Sequence, residues 1–168
     1  MNNLELVRKK ILDAKEQRWI KQLAFLKKYR TTICSFKFNV PSWPKESPQI
    51  TKAWEKALID FEFFLKENKI NYEILEKNQT ILGPEAFLKT TMNSSNFKKW
   101  TIKFEENYVI GRLIDIDVLD INAKPIEREI KRKCFICNDL AIICIRANKH
   151  TPEEVRKIFD LILRRSIS

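Results

Sequence analysis

Between Gly111 and Asp120 the chain reads GRLIDIDVLD, with an aliphatic residue at every second position and a carboxylate between them. A period of two belongs to a strand and not to a helix, so Ile114, Ile116 and Val118 are predicted to leave one face for a core while Asp115 and Asp117 leave the other together. A second segment, ICSFKFNV, alternates Cys34, Phe36, Phe38 and Val40 against Ser35, Lys37 and Asn39 in the same way. Trp100, Ile102 and Phe104 repeat the alternation and lead, through Glu106 to Tyr108, into the first stretch, which suggests antiparallel strands. Shorter extended pieces are expected at Tyr72 to Leu75 and Thr80 to Leu82.

Helical periodicity frames these strands. Leu4, Val7, Ile11, Trp19, Ile20, Leu23 and Leu26 recur at spacings near three and four over Asn3 to Tyr29, with a break expected near Asp13. Pro41, Pro44 and Pro48 enforce a loop after the first strand. Ser47 to Asn68 then carries an apolar stripe of Ala53, Trp54, Ala57, Leu58, Phe61 and Leu65. Thr151-Pro152-Glu153-Glu154 combines an N-cap, a proline in the first turn and a capping-box glutamate, and Val155, Ile158, Phe159, Ile162 and Leu163 follow as a buried stripe. The expectation is one α+β domain over residues 1–168, a central, mostly antiparallel sheet flanked by N- and C-terminal helices.

The length of 168 residues suits a single core, and 11 Phe, 4 Trp and 3 Tyr suffice to build it without disulfides. A net charge of +10 favours polyanions and acidic proteins as partners, although a Lys-rich solvated surface accounts for it equally well. The charged N-terminus lacks a signal-peptide pattern and no apolar run is long enough to span a bilayer, so a cytoplasmic protein without membrane contact is expected. In that reducing compartment the four cysteines are expected as thiols or metal ligands.

Two constellations carry chemistry. Asp115 and Asp117 on one strand face repel each other, and Mg²⁺, which takes oxygen ligands and bridges to substrate phosphates, would relieve that repulsion. The pattern points to phosphoryl or nucleotidyl transfer, and its bland counterpart is a solubilising or edge-blunting strand face. Gly111, one of only two glycines, permits a close backbone approach, and Arg112 beside it can pair with phosphate oxygens. The other glycine lies in LGPE, which reads as a tight turn. The second constellation, RKCFICNDLAIICIRANKH, holds Cys134, Cys137, Cys144 and His150, a set able to bind zinc tetrahedrally. Cys144 among isoleucines also fits a packed core thiol, and His150 a helix start or a phosphate contact.

These residues resemble a known family, the holo-citrate lyase synthases (apo-citrate lyase phosphoribosyl-dephospho-CoA transferases). GRLIDIDV is similar to the family's Gly-Arg-Leu motif with two aspartates one residue apart. The basic pair before Cys134-x2-Cys137, then Ala141, Cys144, Arg146 and His150, resembles its C-terminal signature. Lys15, Glu16, Arg18 and Gln22 resemble its charged helix, Phe36, Pro41 and Lys45 its strand and following loop, and Gly83 to Glu85 its GPE. In the loop PSWPK, Ser42 replaces the usual glycine and Trp43 the proline after it. The likeness runs from about residue 12 to about residue 163 and is weakest between Lys89 and Asn107.

The resemblance implies transfer of the phosphoribosyl-dephospho-CoA group from triphosphoribosyl-dephospho-CoA to a serine of the citrate lyase acyl carrier protein, with pyrophosphate leaving, in a fold that includes a nucleotidyltransferase-like arrangement. Asp115, Asp117 and Arg112 are then the expected catalytic set, with Mg²⁺ on the aspartates. Gly111, Arg146, Arg132, Lys45, Arg18 and His150 are expected to bind substrate, and Asp117, Asp120 and Glu85 are alternatives for the base. Nucleic acid is not an expected partner. The competing readings are a small zinc-stabilised nucleic-acid-binding domain, which leaves GRLIDIDV without a purpose, and the equivalent transferase for the malonate decarboxylase carrier.

Overall fold

The computed structural model describes residues 3–166. Four strands, β1 (Thr32–Phe38), β2 (Glu73–Thr80), β3 (Gly83–Thr90) and β4 (Ile114–Leu119), form one antiparallel sheet in the order β2-β3-β1-β4. Five α-helices accompany it: α1 (Asn3–Tyr29), α2 (Pro48–Glu67), α3 (Ser94–Asn107), α4 (Ala141–Arg146) and α5 (Pro152–Arg164). The α+β expectation, with helices at both ends of the chain, is met.

Strand alternation divides the sheet into two unlike faces. Cys34, Phe36 and Phe38 of β1, Ala86 and Leu88 of β3, and Ile114, Ile116 and Val118 of β4 line one face, where they join Ala53, Trp54, Ala57, Leu58, Phe61 and Leu65 of α2, Phe97 and Phe104 of α3, and Phe159 and Leu163 of α5. This is the main core. Burial pushes the Cys34 thiol up to about 12, as expected for a sulfur used as a small hydrophobe. The opposite face carries Ser35, Lys37, Glu85, Phe87, Asp115 and Asp117, and α1 lies across it.

That polar face explains why α1 departs from its expected stripe. Trp19, Ile20 and Leu23 are exposed, whereas Arg18, Gln22, Phe25 and Leu26 turn toward the sheet. Gln22 donates to Ser35 at 3.5 Å, and Arg18 is ion-paired with Glu85. A helix over a sheet face rich in charge matches it with polar side chains, so hydrophobic periodicity alone misassigns the contact face. The helix runs unbroken through Asp13, and the side chain of Leu4 lies outside the described residues.

Two further expectations are corrected. Trp100, Ile102 and Phe104 belong to α3 and not to a strand: Asn93 caps that helix by accepting from the backbone N–H groups of Ser95 and Asn96, and its buried side are Phe97, Lys98, Thr101, Phe104 and Glu105, spaced by three and four. The pieces expected at Tyr72 to Leu75 and Thr80 to Leu82 are not separate strands: β2 runs from Glu73 to Thr80 with an irregularity between Ile74 and Glu76, Ile81 and Leu82 make the turn, and Gly83 to Glu85 of LGPE already belong to β3. Both of β3's edges are paired and nearly all its residues are buried.

Candidate active site

The strand register assembles a charged row across the polar face. Lys37 on β1 lies opposite Asp115 on β4 and opposite Glu85 on β3, and Ser35 lies opposite Asp117. The Lys37 ammonium donates to Asp115 Oδ2 at 2.5 Å and to Asp117 Oδ2 at 2.6 Å. Each carboxylate thus aims an oxygen at one cationic point. Burial opposes a charge on Lys37, but the two carboxylates override it and raise its pKa above the ordinary value. Asp115 is likewise disfavoured by burial, yet Lys37, with Arg132 and Lys98 farther off, holds its carboxyl below the usual range.

The edge of the sheet at β4 is closed by side chains of α3. Glu105 Oε1 accepts from the Ile116 backbone N–H at 2.9 Å, and the buried Lys98 donates to the Ile116 carbonyl at 2.6 Å. Desolvation lowers the pKa of Lys98 despite the pull of Glu105, Asp117 and Asp115. The other oxygen of Glu105 is 2.7 Å from Arg132 and 3.3 Å from Arg128. Glu105, Arg128 and Arg132, together with Gly111 and Arg112, line a cavity of about 390 Å³ whose lining also includes Lys133, Cys134 and Cys137.

Arg112 sits in the 3-10 turn Gly111–Leu113 that feeds β4. It donates to the Lys133 carbonyl at 2.6 Å and its guanidinium lies 5.0 Å from the centre of the Phe135 ring. Burial, then Arg132 and Arg128, lowers its pKa, so this corner of the cavity is electropositive and receptive to anions. Gly111 is buried, and the close approach it permits is to α3: a β-carbon there would stand 2.7 Å from the Glu105 carbonyl carbon.

At the other end of the row, Lys45 donates to the Val40 carbonyl at 2.5 Å, and burial followed by Lys15, Arg156 and Arg18 lowers its pKa. Arg156 of α5 donates to the Pro44 carbonyl at 2.7 Å. Gly83, at φ 96, lets the β2–β3 turn pack on the Lys45 backbone, where a β-carbon would stand 2.9 Å from the carbonyl oxygen. Ser42 adopts φ 54, a left-handed conformation that glycine takes most easily, at the position where the resemblance places glycine.

The structure therefore brings Asp115, Asp117 and Arg132 into one electrostatic unit, with Arg112 in the adjoining cavity and Arg18 one strand away through Glu85. Arg146 stands exposed at the end of α4. His150 belongs with the cysteines: its Nε2 is 3.3 Å from Cys137 Sγ, which is 3.5 Å from Cys144 Sγ. One ligand atom from each of Cys134, Cys137, Cys144 and His150 lies within 4.8 Å of the others, a Cys₃His set able to hold a metal ion. Sequence reasoning missed Lys37, Lys98, Glu105, Arg128 and Arg156. Lys37 was visible as a polar strand position, but only the register puts it between two carboxylates.

The family model described as apo-citrate lyase phosphoribosyl-dephospho-CoA transferase matches residues 6–165. The chain belongs to this transferase family. It is 33% identical over 161 residues to a probable apo-citrate lyase phosphoribosyl-dephospho-CoA transferase of Streptococcus pyogenes serotype M18, covering 91% of this chain and 83% of that protein. A Vibrio cholerae serotype O1 protein of the same name is 29% identical over 151 residues, 85% of this chain and 83% of its own length. Protein CitXG of Leuconostoc mesenteroides subsp. cremoris is 33% identical over 150 residues, 86% of this chain but 32% of that longer protein. Membership in the transferase family covers both the aspartate row and the Cys₃His segment. No described helix is long and apolar enough to cross a membrane.

Proposed function

We propose that this chain transfers the phosphoribosyl-dephospho-CoA group from triphosphoribosyl-dephospho-CoA to a serine hydroxyl of the citrate lyase acyl carrier protein. The observation that carries the reading, beside family membership, is the convergence of Asp115 Oδ2 and Asp117 Oδ2 on one cationic point next to an arginine-lined cavity. A bond forms between the serine oxygen and the phosphorus nearest the ribose, and the bond from that phosphorus to pyrophosphate breaks, the electron pair leaving with pyrophosphate. Catalysis of such a step is mostly positioning and neutralisation of charge.

Arg112, Arg128 and Arg132 hold the anionic oxygens of the triphosphate in this scheme, and Arg18, Lys45 and Arg156 take the more distant phosphate of the nucleotide moiety. The serine proton passes to Asp117, the more exposed of the paired carboxylates. Glu85 is buried against Arg18 and Asp120 Oδ1 is occupied by the backbone N–H groups of Asn122 and Lys124, whereas Asp117 is half exposed and keeps the oxygen that Lys37 does not hold, which favours it as the base. Lys37 occupies the point on which the Oδ2 atoms converge, so Asp115 and Asp117 would hold Mg²⁺ through their other oxygens or in place of that ammonium. When bound, the ion supplies charge neutralisation at the phosphate oxygens. The basic surface, net charge +10, attracts the polyanionic substrate and an acidic carrier, raising the encounter rate more than the affinity.

The test is intact-mass analysis of the apo-carrier subunit after incubation with this protein, triphosphoribosyl-dephospho-CoA and magnesium. The expected result is a mass gain equal to the phosphoribosyl-dephospho-CoA group, with the rate falling on the order of 100-fold or more in a folded Asp115→Asn variant. A competent carrier that gains no mass overturns the proposal, and an unaffected Asp115→Asn rate removes the aspartates from it.

A further inference from the structure

Between Ile121 and His150 only Cys144 is buried, and the only regular element is α4, six residues long. Ile130, Ile136, Ile142, Ile143 and Ile145 are all exposed. A segment that lends only the partly buried Ala123, Ile126 and Phe135 to the neighbouring cores, and whose helix is too short to hold itself in water, needs another source of order. Yet its backbone is specific: Cys134 N–H donates to the Asp139 carbonyl at 2.8 Å, Ala141 N–H to the Arg132 carbonyl at 2.9 Å, and Lys133 bridges to Leu140. These bonds fold Cys134 to Asp139 into a tight turn that presents Cys134 and Cys137 together, and the Ile136 N–H points at Cys134 Sγ at 3.4 Å.

The other two members arrive from separate elements, Cys144 from α4 and His150 from just ahead of the capped start of α5. Asn148 at φ 45 and the Lys149 N–H bonded to the Cys144 carbonyl turn the chain back so that the imidazole meets the thiols. Tetrahedral zinc with Zn–S bonds near 2.3 Å separates its sulfurs by about 3.8 Å. The Cys137–Cys144 separation of 3.5 Å is close to that, and well beyond a disulfide bond.

We propose that Cys134, Cys137, Cys144 and His150 bind one structural zinc ion, through three thiolate sulfurs and Nε2 of the neutral imidazole. Binding releases three thiol protons to solvent and fills all four positions, leaving no open site for substrate. The zinc supplies the order that the few apolar contacts of residues 121–150 do not. It also fixes the wall of the arginine cavity, because Lys133, whose carbonyl holds Arg112, and Arg132, which pairs with Glu105, directly precede Cys134. The site's existence does not depend on the transfer reaction.

Metal analysis of the purified, reduced protein is expected to return one zinc per chain. Replacement by cobalt(II) is expected to give the intense visible bands and sulfur-to-metal charge-transfer absorption of a tetrahedral thiolate site. Cys137→Ser should weaken zinc retention by more than the roughly 100-fold that outer-shell changes cost. Because that variant is prone to unfold, limited proteolysis of the wild-type chain with and without chelator gives a second reading, with new cleavage confined to residues 121–150 on zinc removal. Protein lacking zinc that also refuses cobalt(II) overturns the proposal. So does a mass two units low that locates a Cys137–Cys144 disulfide in the protein as isolated, or a proteolytic pattern that chelation leaves unchanged.

Discussion

Replacing Lys37 by methionine removes the ammonium that bonds both Asp115 and Asp117 while keeping most of the stem that packs against the sheet. With their Oδ2 atoms 2.5 and 2.6 Å from the ammonium, the two carboxylate oxygens are no more than about 5 Å apart. Two unit charges at that separation repel by roughly 1 kcal/mol in water and roughly 3 kcal/mol at an effective dielectric of 20. The Asp115 and Asp117 side chains are 34% and 53% exposed, which places the effect toward the lower figure, about 1–2 kcal/mol. Lys37→Met removes the attraction that offsets this repulsion and is therefore expected to raise the Asp115 pKa, read by carboxyl-carbon NMR titration, and to lower stability in urea at neutral pH by about 1–3 kcal/mol. If the aspartates also bind Mg²⁺, adding the ion should restore more stability to Lys37→Met than to the wild type. An Asp115 that titrates identically in both proteins, with equal urea midpoints, would refute the reasoning, since no screening role would then be left for Lys37.

The same pair makes a pH prediction. Asp115 is depressed from its ordinary 3.8, so its contribution is complete above that value and is lost as pH falls through the lower folded value; Lys37 is raised from 10.5, so its contribution is complete below 10.5 and is lost as pH rises through the higher folded value. The stability difference between wild type and Lys37→Met is expected to be flat through the neutral range and to shrink below pH 3.8; a difference that persists unchanged well into acid would count against the ion pair. Gly111→Ala places a β-carbon 2.7 Å from the Glu105 carbonyl carbon, in backbone that has no flexible side chain to give way. Overpacking of this kind is expected to cost about 1–3 kcal/mol or more, and a thermal midpoint within 1 °C of wild type, well short of the roughly 4 °C or less per kcal/mol seen in domains of this size, would show that the close approach is not real.

What the chain's order alone determined is local. Period-two alternation identified β1 and β4 and placed Asp115 and Asp117 on one face, helical spacing identified α2, and Thr151-Pro152-Glu153-Glu154 announced α5, where Thr151 accepts from the Glu154 N–H and the Glu154 carboxylate accepts from the Thr151 N–H. These readings succeed because each depends on the geometry of one element. The four zinc-ligand candidates were likewise legible, because residue type and spacing carry that signal. Alternation misled at Trp100 to Phe104, where an N-capped helix with an apolar side at Phe97 and Phe104 outweighs a short period-two coincidence. β3 was hidden by its opening Gly83-Pro84, which reads as a turn until its pairing with both β1 and β2 is known.

Only the tertiary structure decided what stands beside the aspartates. Register put Lys37 between Asp115 and Glu85, α3 brought Glu105 under Arg128 and Arg132, and the polar face drew Arg18 and Gln22 of α1 inward while leaving Trp19 and Leu23 outside. Each of these is a pairing between residues far apart in the chain, set by the energy of closing a whole sheet and its two faces. No local propensity encodes such a pairing, because a strand shows which of its side chains share a face and not which neighbour that face will meet.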